Sequence, residues 1–216
     1  METEAQFSRE DSDKIGLDAY VARVAAAVAL PGGGSAAALA GALAAGLGEM
    51  LAGLTEGREK FAAAEPRVRE LHARLSECRR EMRSLMYEDP AAYRALLDSI
   101  RLPRDTEDAR SARSAAVETA VRGATETPLR TARAAYTILE CLRVLIEIGN
   151  PHAGSDAAVG AQLAFAVLKG AHYNVLANVR MMRDAAYAGG CRSEITDLVD
   201  RGREILRGID LRMAGS

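Results

Sequence analysis

Between Ser35 and Leu54 the chain holds no side chain bulkier than leucine or methionine, and Glu49 is its only ionisable group there. Alanine and leucine are strong helix formers, and a helix apolar around most of its circumference belongs inside a bundle. Ala37, Gly41 and Ala45 fall four apart, making a small-residue ridge that lets another helix approach closely, and Gly48 and Gly53 extend it. Composition agrees: the chain is 49% hydrophobic but only 4% aromatic and has no Trp, so Ala, Leu, Val and Ile must build the core. The run is long enough to raise the question of a membrane span. Glu49 and the lack of flanking basic or aromatic anchors favour a soluble core helix.

Directly ahead of that run stands Leu30-Pro31-Gly32-Gly33-Gly34-Ser35. Pro31 stops an arriving helix because it has no N–H to donate and its ring clashes with the preceding turn. The three glycines leave backbone amides uncovered, and Ser35 is a good N-cap for the helix behind it. Such a junction suits either of two roles: a site for an anion or polar ligand, or a tight interhelical turn.

Almost every other segment reads with a helical period, and no strand-like alternation or repeat interrupts it. Ile15, Leu17, Val21, Val24 and Val28 make an amphipathic first helix, opened by Ser12 or Asp13 and closed by Pro31. The Ala/Gly helix follows, to about Leu54. A long charged helix covers about Glu65 to Tyr87, with Val68, Leu71, Leu75, Met82, Leu85 and Met86 inward and its arginines on a solvated face. Asp89-Pro90 and Thr127-Pro128 each read as a cap followed by proline at the first helical position, so each predicts a new helix. Between them, Thr106 opens a helix to about Ala124. A helix from Ser155 to about Tyr187, stopped by Gly189-Gly190, precedes a last one ending near Arg212. The expected architecture is all-α, a single-domain helical bundle over residues 13–212 round the Ala/Gly-rich central helix, with tails at 1–12 and 213–216.

Net charge is −2 with pI near 6.0, which speaks against a general nucleic-acid binder. Cys78, Cys141 and Cys191 are odd in number and widely spaced, so neither a disulfide framework nor a zinc site is indicated. The polar, acidic start does not resemble a signal peptide, and a cytoplasmic protein without membrane contact is expected. His72, His152 and His172 have no partners at metal-ligand spacing. A second junction, Gly149–Asp156, echoes the first and adds Asn150, Ser155 and Asp156. An acid in the first helical turn is favoured in its ionised form, so Asp156 either anchors a donor-rich ligand or simply caps its helix.

In order and spacing these residues resemble the cyclodeaminase/cyclohydrolase family of folate enzymes. The resemblance rests on Pro31–Ser35 with its Ala-rich helix, Gly57-Arg58-Glu59-Lys60-Phe61, Asp89 with Ala92-Tyr93, and Leu102-Pro103 followed by Thr106 and Glu107. It continues through Pro128-Leu129 and is densest in Gly149-Asn150, Ser155-Asp156, Val159, Ala161, Tyr173-Asn174-Val175 and Asn178. It covers about residues 15 to 190 and departs in the Arg-rich exterior and in Pro151-His152-Ala153-Gly154.

The resemblance implies an all-helical homodimer acting on a tetrahydrofolate one-carbon adduct, with no metal and no bound cofactor. Both reactions of such enzymes, opening of a methenyl bridge by water and closure of a formimino group with loss of ammonia, pass through a tetrahedral carbon between two nitrogens. Asp89 and Asp156 would then supply carboxylates and Lys60 a mobile proton or a ligand contact. Gly32, Gly33, Gly34, Ser35, Asn150 and Ser155 would bind substrate, with Asn174 and Asn178 ranked below them. On a continuous helix, Asp156 and Asn174 stand roughly 27 Å apart and cannot flank one reacting carbon in one subunit. The asparagines would then hold a distal part of the ligand, serve a site completed by a second subunit, or satisfy buried backbone. The length of 216 residues leaves no room for a formimidoyltransferase domain, which favours methenyltetrahydrofolate cyclohydrolase over cyclodeaminase. A non-catalytic folate-binding or interaction dimer is the reading from a different class.

Overall fold

Ala38, Ala44, Ala45, Leu51 and Ala52 are wholly shielded from solvent, and the helix that carries them, α2 (Gly33–Gly53), is the axis of the bundle. The structure, a computed structural model, describes residues 16–215. Around α2 lie α3 (Glu65–Ile100), α4 (Glu107–Ile148) and α5 (Gly154–Val179), with α6 (Ala185–Ala214) against α4 and α5. A short α1 (Leu17–Ala25) precedes α2, and two 3₁₀ turns, Glu59–Phe61 and Pro151–Ala153, complete an all-α fold with no strand among the described residues. The inward stripe of α3 is buried as its period requires, from Val68 through Met86. Among the described residues α2 alone is long and apolar enough to cross a membrane; here its buried side meets other helices of the bundle.

The small residues of α2 set how closely those helices pack. A Cβ added at Gly48 would lie 2.8 Å from Leu75 Cδ1 and 3.0 Å from Leu142 Cδ2, on two different neighbours. One at Gly160 of α5 would come within 3.1 Å of the Ala44 carbonyl, so α2 and α5 meet almost backbone to backbone. Gly48→Val is therefore expected to destabilise by about 2 kcal/mol, since overpacking exceeds the small gain in helix propensity. The expected signature in urea is a lower midpoint at unchanged slope.

Two prolines that read as helix starts do not start helices. Pro90 lies inside α3 and Pro128 inside α4. A proline in a helix interior costs about 3 kcal/mol, in part because the carbonyl four residues earlier loses its donor. Those carbonyls belong to Met86 and Ala124, and both are satisfied from another helix. Ser35 Oγ donates to the Met86 carbonyl at 2.8 Å, and Asn178 Nδ2 donates to the Ala124 carbonyl at 2.6 Å. Long-range partners supply the hydrogen bonds that the local sequence lacks. Beyond the prolines, the end of α3 and the start of α4 form a two-helix arm with its own small core of Leu96, Val121 and Ala124.

Other boundaries also move. α1 ends at Ala25, well before Pro31; Leu17, Val21 and Val24 on it and Val28 beyond it are exposed, while Tyr20 is buried. The expected starters Ser12 and Asp13, with Ile15 and the 1–12 tail, lie outside the described residues. Ser35 is not an N-cap: α2 already begins at Gly33, and Ser35 is fully buried. Nor does Ser155 cap α5, which begins at Gly154. α5 stops at Val179 because Glu118 of α4 captures the next turn, accepting from the Arg183 and Asp184 amides at 2.9 and 3.5 Å. Asp184 then caps α6 by accepting from the Tyr187 amide at 3.0 Å, leaving Gly189 and Gly190 inside a helix. That helix runs to Ala214, into the stretch expected as a tail.

Candidate active site

The glycine loop and the proline of α3 meet at one carboxylate. The Ser35 amide, in the first turn of α2, donates to Asp89 Oδ2 at 3.1 Å. Asp89 also leans on Gly34 so closely that a Cβ there would overlap its carboxyl group, so any larger residue would displace the carboxylate. Burial pushes the Asp89 carboxyl above the usual aspartate range, and the Ser35 hydrogen bond offsets part of that rise. Behind this contact Tyr20 pins Ser35, their hydroxyls 3.0 Å apart. Burial raises the Tyr20 phenol in turn, against the opposing Ser35 hydrogen bond.

Asp89 opens into a cavity of about 240 Å³. Gly32, Gly33 and Gly34 form one wall, Ala92 and Tyr93 continue α3, Ala124 comes from α4, and Asn174 and Asn178 come from α5. Six sequence candidates thus share one cavity, with Ser35 supporting its wall. Asn178 has a defined task there, since its amide caps the Ala124 carbonyl that Pro128 leaves open. This answers one of the three possibilities left by the sequence for that residue.

Lys60, Asn150, Ser155 and Asp156 lie elsewhere, where α2 ends and α5 begins. Asn150 is a buried brace: its backbone amide donates to Thr55 Oγ1 at 2.9 Å and its side-chain amide to the Leu54 carbonyl at 3.2 Å. Its Oδ1 accepts from the His152 amide at 3.1 Å. Ser155 and Asp156 are exposed, and the Lys60 ammonium stands 5.5 Å from the Phe61 ring. α5 is unbroken at Gly160 and Gly170, so Asp156 and Asn174 are separated by roughly 27 Å of helix. Of the other histidines, His72 Nδ1 pairs with Glu56 Oε1 at 2.6 Å, and His172 Nδ1 is buried without a hydrogen-bond partner.

Sequence reading did not single out Tyr20 or the cavity-lining role of Tyr93. Tyr20 is the one aromatic residue of α1, a signal for a polar tip with a buried partner. For Tyr93 the signal is its place one turn beyond Asp89 on the same helix.

The fold is all-α, and a half-buried carboxylate meets the N-terminus of a glycine-loop helix at the cavity wall, an arrangement suited to a small polar ligand. Residues 16–197 match the family described as Formiminotransferase-cyclodeaminase, and the chain belongs to that family. It is 30% identical over 183 residues to a methenyltetrahydrofolate cyclohydrolase of Methylorubrum extorquens, covering 85% of this chain and 88% of that one. It is 33% identical over 187 residues to the formimidoyltransferase-cyclodeaminase of Rattus norvegicus, covering 87% of this chain but only 35% of that protein. Its fold matches formiminotetrahydrofolate cyclodeaminase of Thermotoga maritima with a TM-score of 0.86 at 22% identity, over 94% of this chain and 98% of that one.

Proposed function

We propose that the chain is a methenyltetrahydrofolate cyclohydrolase, adding water to 5,10-methenyltetrahydrofolate and releasing 10-formyltetrahydrofolate. The observation that carries this reading is Asp89, a carboxylate fixed by the Ser35 amide and Gly34 at the edge of a cavity. The substrate carbon is cationic, and a nearby carboxylate both attracts it and accepts a proton from the attacking water. The new C–O bond gives a neutral tetrahedral carbinol. Asp89 then returns the proton to N5, the C–N5 bond breaks, and the hydroxyl proton leaves as the formyl carbonyl forms on N10. The extent of overlap with the cyclohydrolase relative supports this assignment. Cyclodeamination is the second reading, favoured by the similar identity to the two-function relative.

One pair of assays decides between them. The methenyl chromophore should decay faster with enzyme than in buffer, with no ammonia released from 5-formiminotetrahydrofolate. Decay at the buffer rate removes the proposal, and ammonia release promotes the deaminase. Folate-dependent thermal stabilisation without either activity would mark a binding module.

The same proposal includes a homodimer. Leu17 and Val21 of α1, Leu43 of α2, and Val159 and Tyr173 of α5 are each more than half exposed. Apolar surface on neighbouring helices at this level needs a cover. A two-fold axis across the paired α2 and α5 would set the Lys60–Asp156 end of a second copy beside the Asp89 cavity, reuniting the separated candidates. Leu43→Glu with Val159→Glu should halve the mass measured by light scattering and abolish turnover. A monomeric wild-type protein would end this part of the proposal.

A further inference from the structure

Tyr20 carries a hydroxyl at a position where an apolar ring would bury at lower cost. It is the one buried residue of α1, while Leu17, Val21 and Val24 are turned outward. Phenylalanine would fill the same space without taking a hydroxyl out of water, so the hydroxyl is there for the bond it makes. Counting protons gives that bond its direction. The Met86 carbonyl can only accept, so the 2.8 Å contact from Ser35 Oγ uses the single hydroxyl proton of Ser35. In the 3.0 Å contact between the two hydroxyls, Ser35 must then accept and Tyr20 donate. A directed chain results, from the Tyr20 hydroxyl through the Ser35 hydroxyl to the Met86 carbonyl, in which each bond polarises the next.

Ser35 grips α3 at two points about one helical turn apart. Its hydroxyl holds the Met86 carbonyl, and its amide holds Asp89 Oδ2 at 3.1 Å. A serine inside a helix has competing acceptors in the carbonyls three or four residues back along its own chain. Donation from Tyr20 keeps the Ser35 oxygen turned toward α3 instead. The Ser35 amide takes Oδ2, which leaves Oδ1 for proton transfer, and the aim of Oδ1 depends on how firmly Oδ2 is held. We infer that Tyr20 is a positioning residue for the reaction: acting through Ser35 from outside the cavity lining, it fixes the orientation of the Asp89 carboxylate. The assignment rests on the folate reading above, with Asp89 as the group that accepts the proton.

Tyr20→Phe keeps the ring and loses one neutral hydrogen bond, so the full chain should stay folded by circular dichroism. Tyr20→Met, also without a hydroxyl, is a second variant that should behave alike. With methenyltetrahydrofolate, Tyr20→Phe should lower kcat about ten-fold and leave KM within about two-fold of the wild type. The acid limb should move to higher pH, because a looser Ser35 contact offsets less of the rise that burial imposes on Asp89. Few other groups confuse that reading. Tyr93 is the only other ionisable side chain among the described residues lining the cavity, Tyr87 lies near Tyr20, and Glu88 is held by Arg130 at 2.5 Å. In the Asp89→Asn background the same change should leave kcat within about two-fold, since the group being positioned is gone. Wild-type kcat with an unmoved acid limb, a change in KM alone, or an equal loss of kcat in both backgrounds would overturn the positioning role and leave the function standing. Should the wild-type protein turn over no folate, NMR titration of the labelled aspartate carboxyl that Asp89→Asn removes decides separately. A higher midpoint in Tyr20→Phe than in the wild type supports the link through Ser35, and an equal midpoint overturns it.

Discussion

Asp89→Asn is expected to lower cyclohydrolase turnover by about 10²–10⁴-fold while the protein stays folded. The amide keeps one oxygen that can accept from the Ser35 N–H, so the loop contact at 3.1 Å survives and the loss is one of proton transfer. The pH profile distinguishes this from a structural effect. Burial holds the Asp89 carboxyl above the ordinary 3.8, so the wild-type rate should fall on an acid limb lying above pH 3.8, and the limb should vanish in the Asn variant. Stability moves the other way. A folded carboxyl that binds its proton more tightly than the unfolded one favours folding below the ordinary value. That contribution is lost as pH rises through the raised one. Near neutral pH the Asn variant should therefore unfold at the same temperature as the wild type or higher. Full turnover in a folded Asp89→Asn protein would remove Asp89 from the chemistry.

How much of this was legible beforehand differs by the range of the interaction. The inward stripe of α3, the central position of α2 and the small ridge through Gly41 and Gly48 follow from periodicity and side-chain size, both local properties. The glycine loop and Asp89 were visible as residues, and their meeting across 54 positions was not, since nothing in spacing fixes a contact of that range. The proline signals misled for the same reason: a cap-plus-proline pair predicts a helix start only if no distant donor serves the orphaned carbonyl. α1 misled differently. Its stripe of Leu17, Val21 and Val24 marks an amphipathic helix, but the chain buries Tyr20 and turns that stripe outward.

Ser35→Ala should destabilise the fold by about 1–3 kcal/mol, and Pro90→Ala should recover most of that loss. Ser35 is wholly buried, and its hydroxyl both donates to the Met86 carbonyl at 2.8 Å and meets the Tyr20 hydroxyl at 3.0 Å. Removing it leaves that carbonyl without a donor, because Pro90 has no N–H four residues on. Alanine at 90 supplies the N–H from within the helix, so the double variant regains the bond without Ser35. The coupling read from urea midpoints in a double-mutant cycle should exceed about 0.5 kcal/mol, whereas two independent sites would simply add. The Tyr20–Ser35 hydrogen bond is lost in both backgrounds, so rescue should be incomplete. The Asn178–Pro128 pair is built alike, with the Ala124 carbonyl served at 2.6 Å, but it borders the open cavity. Water can replace the Asn178 amide there, so Asn178→Ala should cost less than Ser35→Ala. If Pro90→Ala rescued nothing, the Ser35 hydroxyl would be holding Tyr20 and the glycine loop rather than completing the helix that carries Asp89.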